Sequence, residues 1–224
     1  MPIERNRIVK RYLILCEGKD AEGFLISYLN SDALRFDPRF SEEIQVLDFG
    51  GIGQLSSYLL NLQNLDGFEK VKSVFVLRDS ETDAAAGVNS VMKGFEVSGL
   101  PVPRSCCVWN HEGEPATAFA LLPSCDSTPV DGTLEDLCWQ ILAGDDSAVV
   151  SDKAKRFIED IKASHPERIV SHEHKSRLHA YFSTSDRLVS MKIGEAAKAG
   201  AFDWNSKQLA PLRDVLVEGF VSLK

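Results

Sequence analysis

Short apolar runs alternate with amphipathic stretches through the first half of the chain. "RYLILCE" (11–17) is apolar through its middle and ends on a charge, the pattern of a buried strand. "DAEGFLISYLN" (20–30) has apolar residues at 24, 25, 28 and 29, the spacing of an amphipathic helix, with Asp20 where an N-cap belongs. "EIQVLDF" (43–49) predicts a second strand, "GGIG" a tight loop, and "QLSSYLLNLQNL" (54–65) a second helix. "VKSVFVLRD" (71–79) predicts a third strand, followed by a helix over 84–98 that Gly99 closes. Alternation of this kind implies right-handed crossovers and a parallel sheet. The prolines of "LPVPRS" break the pattern. Beyond them "CCVWN" (106–110) and "ATAFALL" (116–122) read as two further strands at a sheet edge, and the remainder is mainly helical. The expected architecture is α/β: a mostly parallel sheet flanked by helices, with a mainly helical C-terminal part.

In open α/β sheets, functional groups gather beyond the C-terminal strand ends. Here the first strand ends in Glu17-Gly18-Lys19-Asp20, the second in Gly50-Gly51-Ile52-Gly53, and the third in Asp79-Ser80-Glu81-Thr82-Asp83. Acids at alternate positions of an extended segment point the same way. Three carboxylates held together repel one another unless a positive charge lies between them. Hard oxygen donors of this kind suit Mg²⁺, which takes one or two carboxylates and fills its other positions with water and phosphate. A structural alternative stands beside each residue. "DSETDAAA" also has the form of a helix start, so Asp83 reads equally well as an N-cap. Asp20 reads as a cap rather than a ligand. Gly50, Gly51 and Gly53, with Lys19 nearby, can present a phosphate-binding turn, although a tight strand–helix connection needs glycines anyway. Glu135 and Asp136 read as first-turn acids that favour a helix dipole, with a supporting role at the acidic site as the alternative.

Composition narrows the classes. A chain of 224 residues with 44% hydrophobic and 26% charged residues is ordinary for a globular protein. No apolar run reaches the ~20 residues of a membrane span. The five cysteines include no C-x-x-C pair, so neither a disulfide framework nor a zinc site is expected and the reducing cytoplasm is the expected address. A net charge of -8 argues against a general nucleic-acid coat protein. Residues 151–192 are less acidic, with nine Lys or Arg against six acids, and read as a solvated helix surface before a phosphate-binding face. Ser80 has no recognisable base beside it in the sequence, which argues against a serine nucleophile.

An E-G-x-D motif after the first strand, a glycine turn after the second and an acid-x-acid after the third resemble the Toprim domain of topoisomerases, primases and OLD-type nucleases. More closely, "LCEGKDAEGFL", "FGGIGQL", "VFVLRDSETDAAAGVNSV", "SGLPVP", "GTLEDL" and "IGEAAKAGAFDW" resemble a small uncharacterised Toprim-like family of prokaryotic proteins. The resemblance implies a Toprim-like core over residues 1–125, with a helical region over 126–224 packed on it. It implies that Glu17 is the general acid/base or metal ligand, and that Asp79 and Glu81 are the metal-binding pair, with Asp83 as a further ligand. Glu81 departs from the aspartate of that motif, and its longer side chain reaches one methylene further. The implied chemistry is Mg²⁺- or Mn²⁺-dependent hydrolysis of a phosphodiester in DNA or RNA. Two other classes stay open: a Toprim-like binding module without catalysis, and a metal-dependent hydrolase or transferase of a small phosphorylated molecule.

Overall fold

A computed structural model of the protein describes residues 7–143, 148–168 and 172–221. The chain runs β1 (Tyr12–Cys16), α1 (Gly18–Leu29), α2 (Arg39–Glu42) and β2 (Ile44–Asp48), then a 3₁₀ turn into α3 (Leu55–Leu62). It continues through β3 (Ser73–Asp79), α4 (Ala84–Ser98) and β4 (Ala116–Leu122). The C-terminal part is helical: α5 (Leu134–Ala143), α6 (Ala148–Ser164), α7 (Glu173–Phe182), α8 (Ile193–Lys198) and α9 (Ala210–Val221). Among the described residues four strands form one sheet in the order β2-β1-β3-β4, and every pair is parallel. The expected α/β architecture, a parallel sheet flanked by helices with a helical C-terminal part, is what the chain adopts. No helix among the described residues is long and apolar enough to cross a membrane.

Both faces of the sheet are buried, which is why β1, β3 and β4 read as continuous apolar runs. Leu13, Leu15, Val74, Val76 and Phe119 meet Leu55, Leu59, Val91 and Phe95 of α3 and α4. Ile14, Cys16, Phe75, Leu77 and Ala118 face the other way, toward Phe24 and Tyr28 of α1 and Leu212, Leu216 and Phe220 of α9. The connection after β1 therefore covers one face and the connection after β3 covers the other. A sheet whose connections diverge in this way leaves a crevice beyond the strand ends between them, here between β1 and β3. Glu17 and Asp79 follow or end those two strands.

Two local expectations are corrected. "CCVWN" is not a strand: Cys107 has a φ of 60°, and Ser105 and Val108 pair in a turn. The segment touches β4 only at points, through Cys107 N–H to the Phe119 carbonyl at 2.7 Å and a two-way bond between Asn110 and Thr117. Its apolar residues serve a different end. Trp109 is buried between Phe75 and Phe220, and its indole N–H donates to the Val215 carbonyl at 2.8 Å. The second correction is α1, which begins at Gly18 with Glu17 in the N-cap position. Asp20 lies in its first turn and accepts from the Gly194 N–H of α8 at 3.1 Å. Asp20 does cap a helix start, but not its own.

Candidate functional site at the β1 and β3 strand ends

Cys16 lies opposite Leu77 in the β1–β3 register, so the next position sets Glu17 beside Arg78. The pleat turns Arg78 inward on the α4 side, where it is the largest fully buried side chain among the described residues. Its Nε donates to the Asp79 carbonyl at 3.1 Å, its Nη1 donates to Ser90 Oγ at 3.2 Å, and its Nε lies 3.8 Å from Glu17 Oε2. Burying a guanidinium is costly without such partners. Part of the positive charge that the strand-end acids require is thus built into the chain.

Asp79 alternates to the opposite face, toward α5. Its Oδ1 accepts the Leu134 N–H at 2.8 Å, in the first turn of that helix. Burial, then the charges of Glu135, Glu17 and Glu81, push the Asp79 carboxyl up to about 7, against the Leu134 hydrogen bond that pulls it down. Glu81 is exposed with a φ of 58°, and its backbone exchanges two hydrogen bonds with Gly132. Asp131 accepts the Ala84 N–H at 2.9 Å. The loop after β3 is therefore tied at two points to the segment that starts α5. Asp83 is the N-cap of α4, its Oδ1 accepting the Ala86 N–H at 2.8 Å. Ser80 is buried and donates its hydroxyl to the Leu122 carbonyl at 2.7 Å, away from any base.

At the end of β2 the central group is Asp48. Its Oδ1 accepts from the backbone N–H of Gly18 at 2.9 Å and of Gly50 at 2.7 Å, and its Oδ2 pairs with Lys19 Nζ at 3.2 Å. Burial pushes this carboxyl up, but those three partners outweigh it and hold it below the usual range. Lys19 also pairs with Glu22 at 2.6 Å. Of the expected phosphate-binding groups, Gly50 spends its N–H on Asp48 and Lys19 sits between two acids. Gly51 and Gly53 lie exposed at the start of the turn into α3. In the basic stretch, Lys155, Lys162, Lys175 and Arg177 are ion-paired with Glu159, Glu173, Glu135 and Asp136.

The fold thus brings Glu17 and Asp79 to neighbouring strand ends, with Glu81 and Glu135 close enough to act on Asp79. Asp83 is occupied as a cap. Among the described residues, no group of three or more His, Cys, Asp or Glu side chains is spaced to hold a metal ion. Sequence reasoning missed Arg78 and Asp48. Arg78 had a signal, a charge one place before a strand tip, where the pleat turns it back toward the core. Asp48 had another, an acid at the end of a strand otherwise read for its glycines.

A model of a family described as "Protein of unknown function (DUF3226)" matches residues 11–221. The chain belongs to the DUF3226 family. The match spans β1 through α9, so the strand-end acids and the helical part that covers them lie in one DUF3226 unit. No curated protein and no solved structure matches the chain.

Proposed function

We propose that this DUF3226 protein is a Mg²⁺- or Mn²⁺-dependent phosphodiester hydrolase of Toprim type that acts on DNA or RNA. The observation that supports it is Asp79, at the crevice between β1 and β3, with its carboxyl raised to about 7 by burial and by three neighbouring acids. A strongly perturbed acid at such a position is a functional-site candidate with a physical rationale. The donor chemistry fits a hard divalent cation, because the field that opposes ionisation of Asp79 is the field a cation relieves. Asp79 and Glu17, at adjacent strand ends, would hold it as a pair of carboxylates, with water and substrate filling the other positions. When bound, such a cation supplies phosphate neutralisation, a water of lowered pKa and stabilisation of developing charge.

The remaining work belongs to the side chains. Glu17, set by Arg78, is placed to accept or return a proton at its carboxylate. The α5 N–H on Oδ1 of Asp79 fixes the orientation of that carboxylate and leaves its other oxygen for a ligand. The exposed Gly51 and Gly53 border the strand ends and can receive a phosphate oxygen. One observation favours a second reading: Arg78 already balances Glu17, as in a binding module that retains the acids without catalysis.

One set of measurements separates the two. Mn²⁺ binding followed by calorimetry is expected in the parent and lost in Asp79→Asn. Cleavage of single- and double-stranded DNA and RNA should require Mn²⁺ or Mg²⁺ and stop with EDTA. For a Kd of ~1 mM, ~10 mM Mg²⁺ should stabilise the parent by about 1.4 kcal/mol. Binding without cleavage would leave the inert module, and an undiminished response in Asp79→Asn would remove the metal site from Asp79.

A further inference from the structure

A cleft of about 770 Å³ opens beside α3 at the end of β2, apart from Asp79. Gln54, Ser57, Tyr58 and Asn61 recur at the spacing that puts them on one side of the helix. The core side of α3 is different, formed by Leu55, Leu59 and Leu62. Leu47 and Leu65 give the cleft an apolar floor, and the Tyr58 ring lies against Phe49 with centroids 6.5 Å apart. Within the described residues the Gln54 amide and the Ser57 and Tyr58 hydroxyls make no hydrogen bond. Asn61 uses Nδ2 on the Ser57 carbonyl and keeps Oδ1. Burial, then the Asp48 charge, pushes the Tyr58 hydroxyl up to about 12, so it stays a neutral donor.

The charge at the mouth decides what fits. Lys19 is the cation there, and Glu22 and Asp48 both pair with it. One positive charge against two negative ones does not attract a bare phosphate. An apolar floor, a half-buried aromatic ring, a free amide and free hydroxyls instead match an uncharged, flat ring with polar edges. Bases stack on aromatic side chains and are read by amides and hydroxyls at their edges. The volume lies in the range of small-molecule sites.

We propose that the cleft between α3 and the end of β2 binds a nucleobase, as the base-binding subsite of the substrate. Asp48 links the cleft to the strand ends, since it accepts the Gly18 N–H next to Glu17 at 2.9 Å. A base seated against Tyr58 directs its phosphate out past the Lys19 ion pairs, toward the crevice of Glu17 and Asp79. That second half rests on the hydrolase reading; binding of the base itself does not.

The test uses the full chain in EDTA, titrated with adenosine, guanosine, cytidine and uridine and, separately, with ribose and glucose, by amide NMR. Saturable shifts at Leu47, Tyr58 and Asn61 are expected with at least one nucleoside and not with the sugars. Tyr58→Ala should weaken binding about tenfold or more, as loss of a base–aromatic stack does. Tyr58→Phe should keep it within about threefold, and the spectra themselves show whether each variant is folded. Equal binding of sugars, saturation mapping elsewhere, or no saturation by any nucleoside would overturn the proposal. Because no metal is present, the two readings fail separately. Nucleoside binding without metal-dependent cleavage removes the hydrolase reading alone, and cleavage without nucleoside binding removes this one alone.

Discussion

Asp79 keeps its proton to about pH 7 in the folded chain, whereas an unfolded aspartate loses it near pH 4. Between those values the folded state binds more protons, so the contribution of Asp79 to stability falls as pH rises from about 4 to about 7. Three pH units at ~1.4 kcal/mol each set a ceiling of about 4 kcal/mol on that penalty. An asparagine carries no charge and its Oδ1 can still accept the Leu134 N–H. Asp79→Asn is therefore expected to be more stable than the parent at pH 8, by about 1–3 kcal/mol, and equal to it at pH 4. Urea midpoints at the two pH values check this; a less stable variant at pH 8 would mean that the carboxylate is structural. Glu17→Gln is a poorer probe, because it also removes the carboxylate set beside the buried Arg78 guanidinium, leaving that group its bonds to the Asp79 carbonyl and Ser90. At this scale the sequence was half legible. Alternation and strand ends locate Glu17 and Asp79, but they do not reveal the buried Arg78 guanidinium 3.8 Å from Glu17. The reason is that an apolar-strand pattern treats a charge near its tip as solvated.

The helices of the first half were legible because their apolar spacing and caps agree with their surroundings. "CCVWN" misled because a run of apolar residues has the same appearance whether it pairs as a strand or plugs a core. Trp109 plugs the core under α9, and that contact explains a glycine within a helix. A Cβ built on Gly219 would lie 1.9 Å from the Trp109 ring. Alanine is favoured over glycine in a helix by about 1 kcal/mol, while overpacking a core costs about 1–3 kcal/mol. The ring is held by Phe75, Phe220 and the Val215 carbonyl, so it cannot swing aside cheaply. Gly219→Ala is expected to destabilise by about 1–2 kcal/mol and to change tryptophan fluorescence. A stabilised variant would show that α9 moves freely. The family segment "IGEAAKAGAFDW" is explained by the same kind of contact, since Gly194 of α8 meets Gly23 of α1 backbone to backbone. No periodicity read along one segment shows what another segment presses against it.

Across the whole molecule, one apolar face of the sheet is covered largely by residues beyond 125. Leu134, Leu137, Leu212, Leu216 and Phe220 share a cluster with Tyr12, Ile14 and Phe75. A fragment of residues 1–125 should therefore expose that face, bind a hydrophobic dye and lack near-ultraviolet dichroism, with α1, α3 and α4 still present. A fragment that unfolds cooperatively in urea would show that the first 125 residues carry a sufficient core of their own. The strand order also has a consequence in time. β1 is flanked by β2 and β3, and Tyr12 aligns with both Ile44 and Ser73. During synthesis the central strand is made first, yet its second neighbour is complete only at Asp79. At translation rates of 5–20 residues per second that interval lasts roughly 3–13 s. For those seconds the most apolar stretch of the amino-terminal region has an open edge, which makes it the segment for a chaperone to hold or for a second nascent chain to capture.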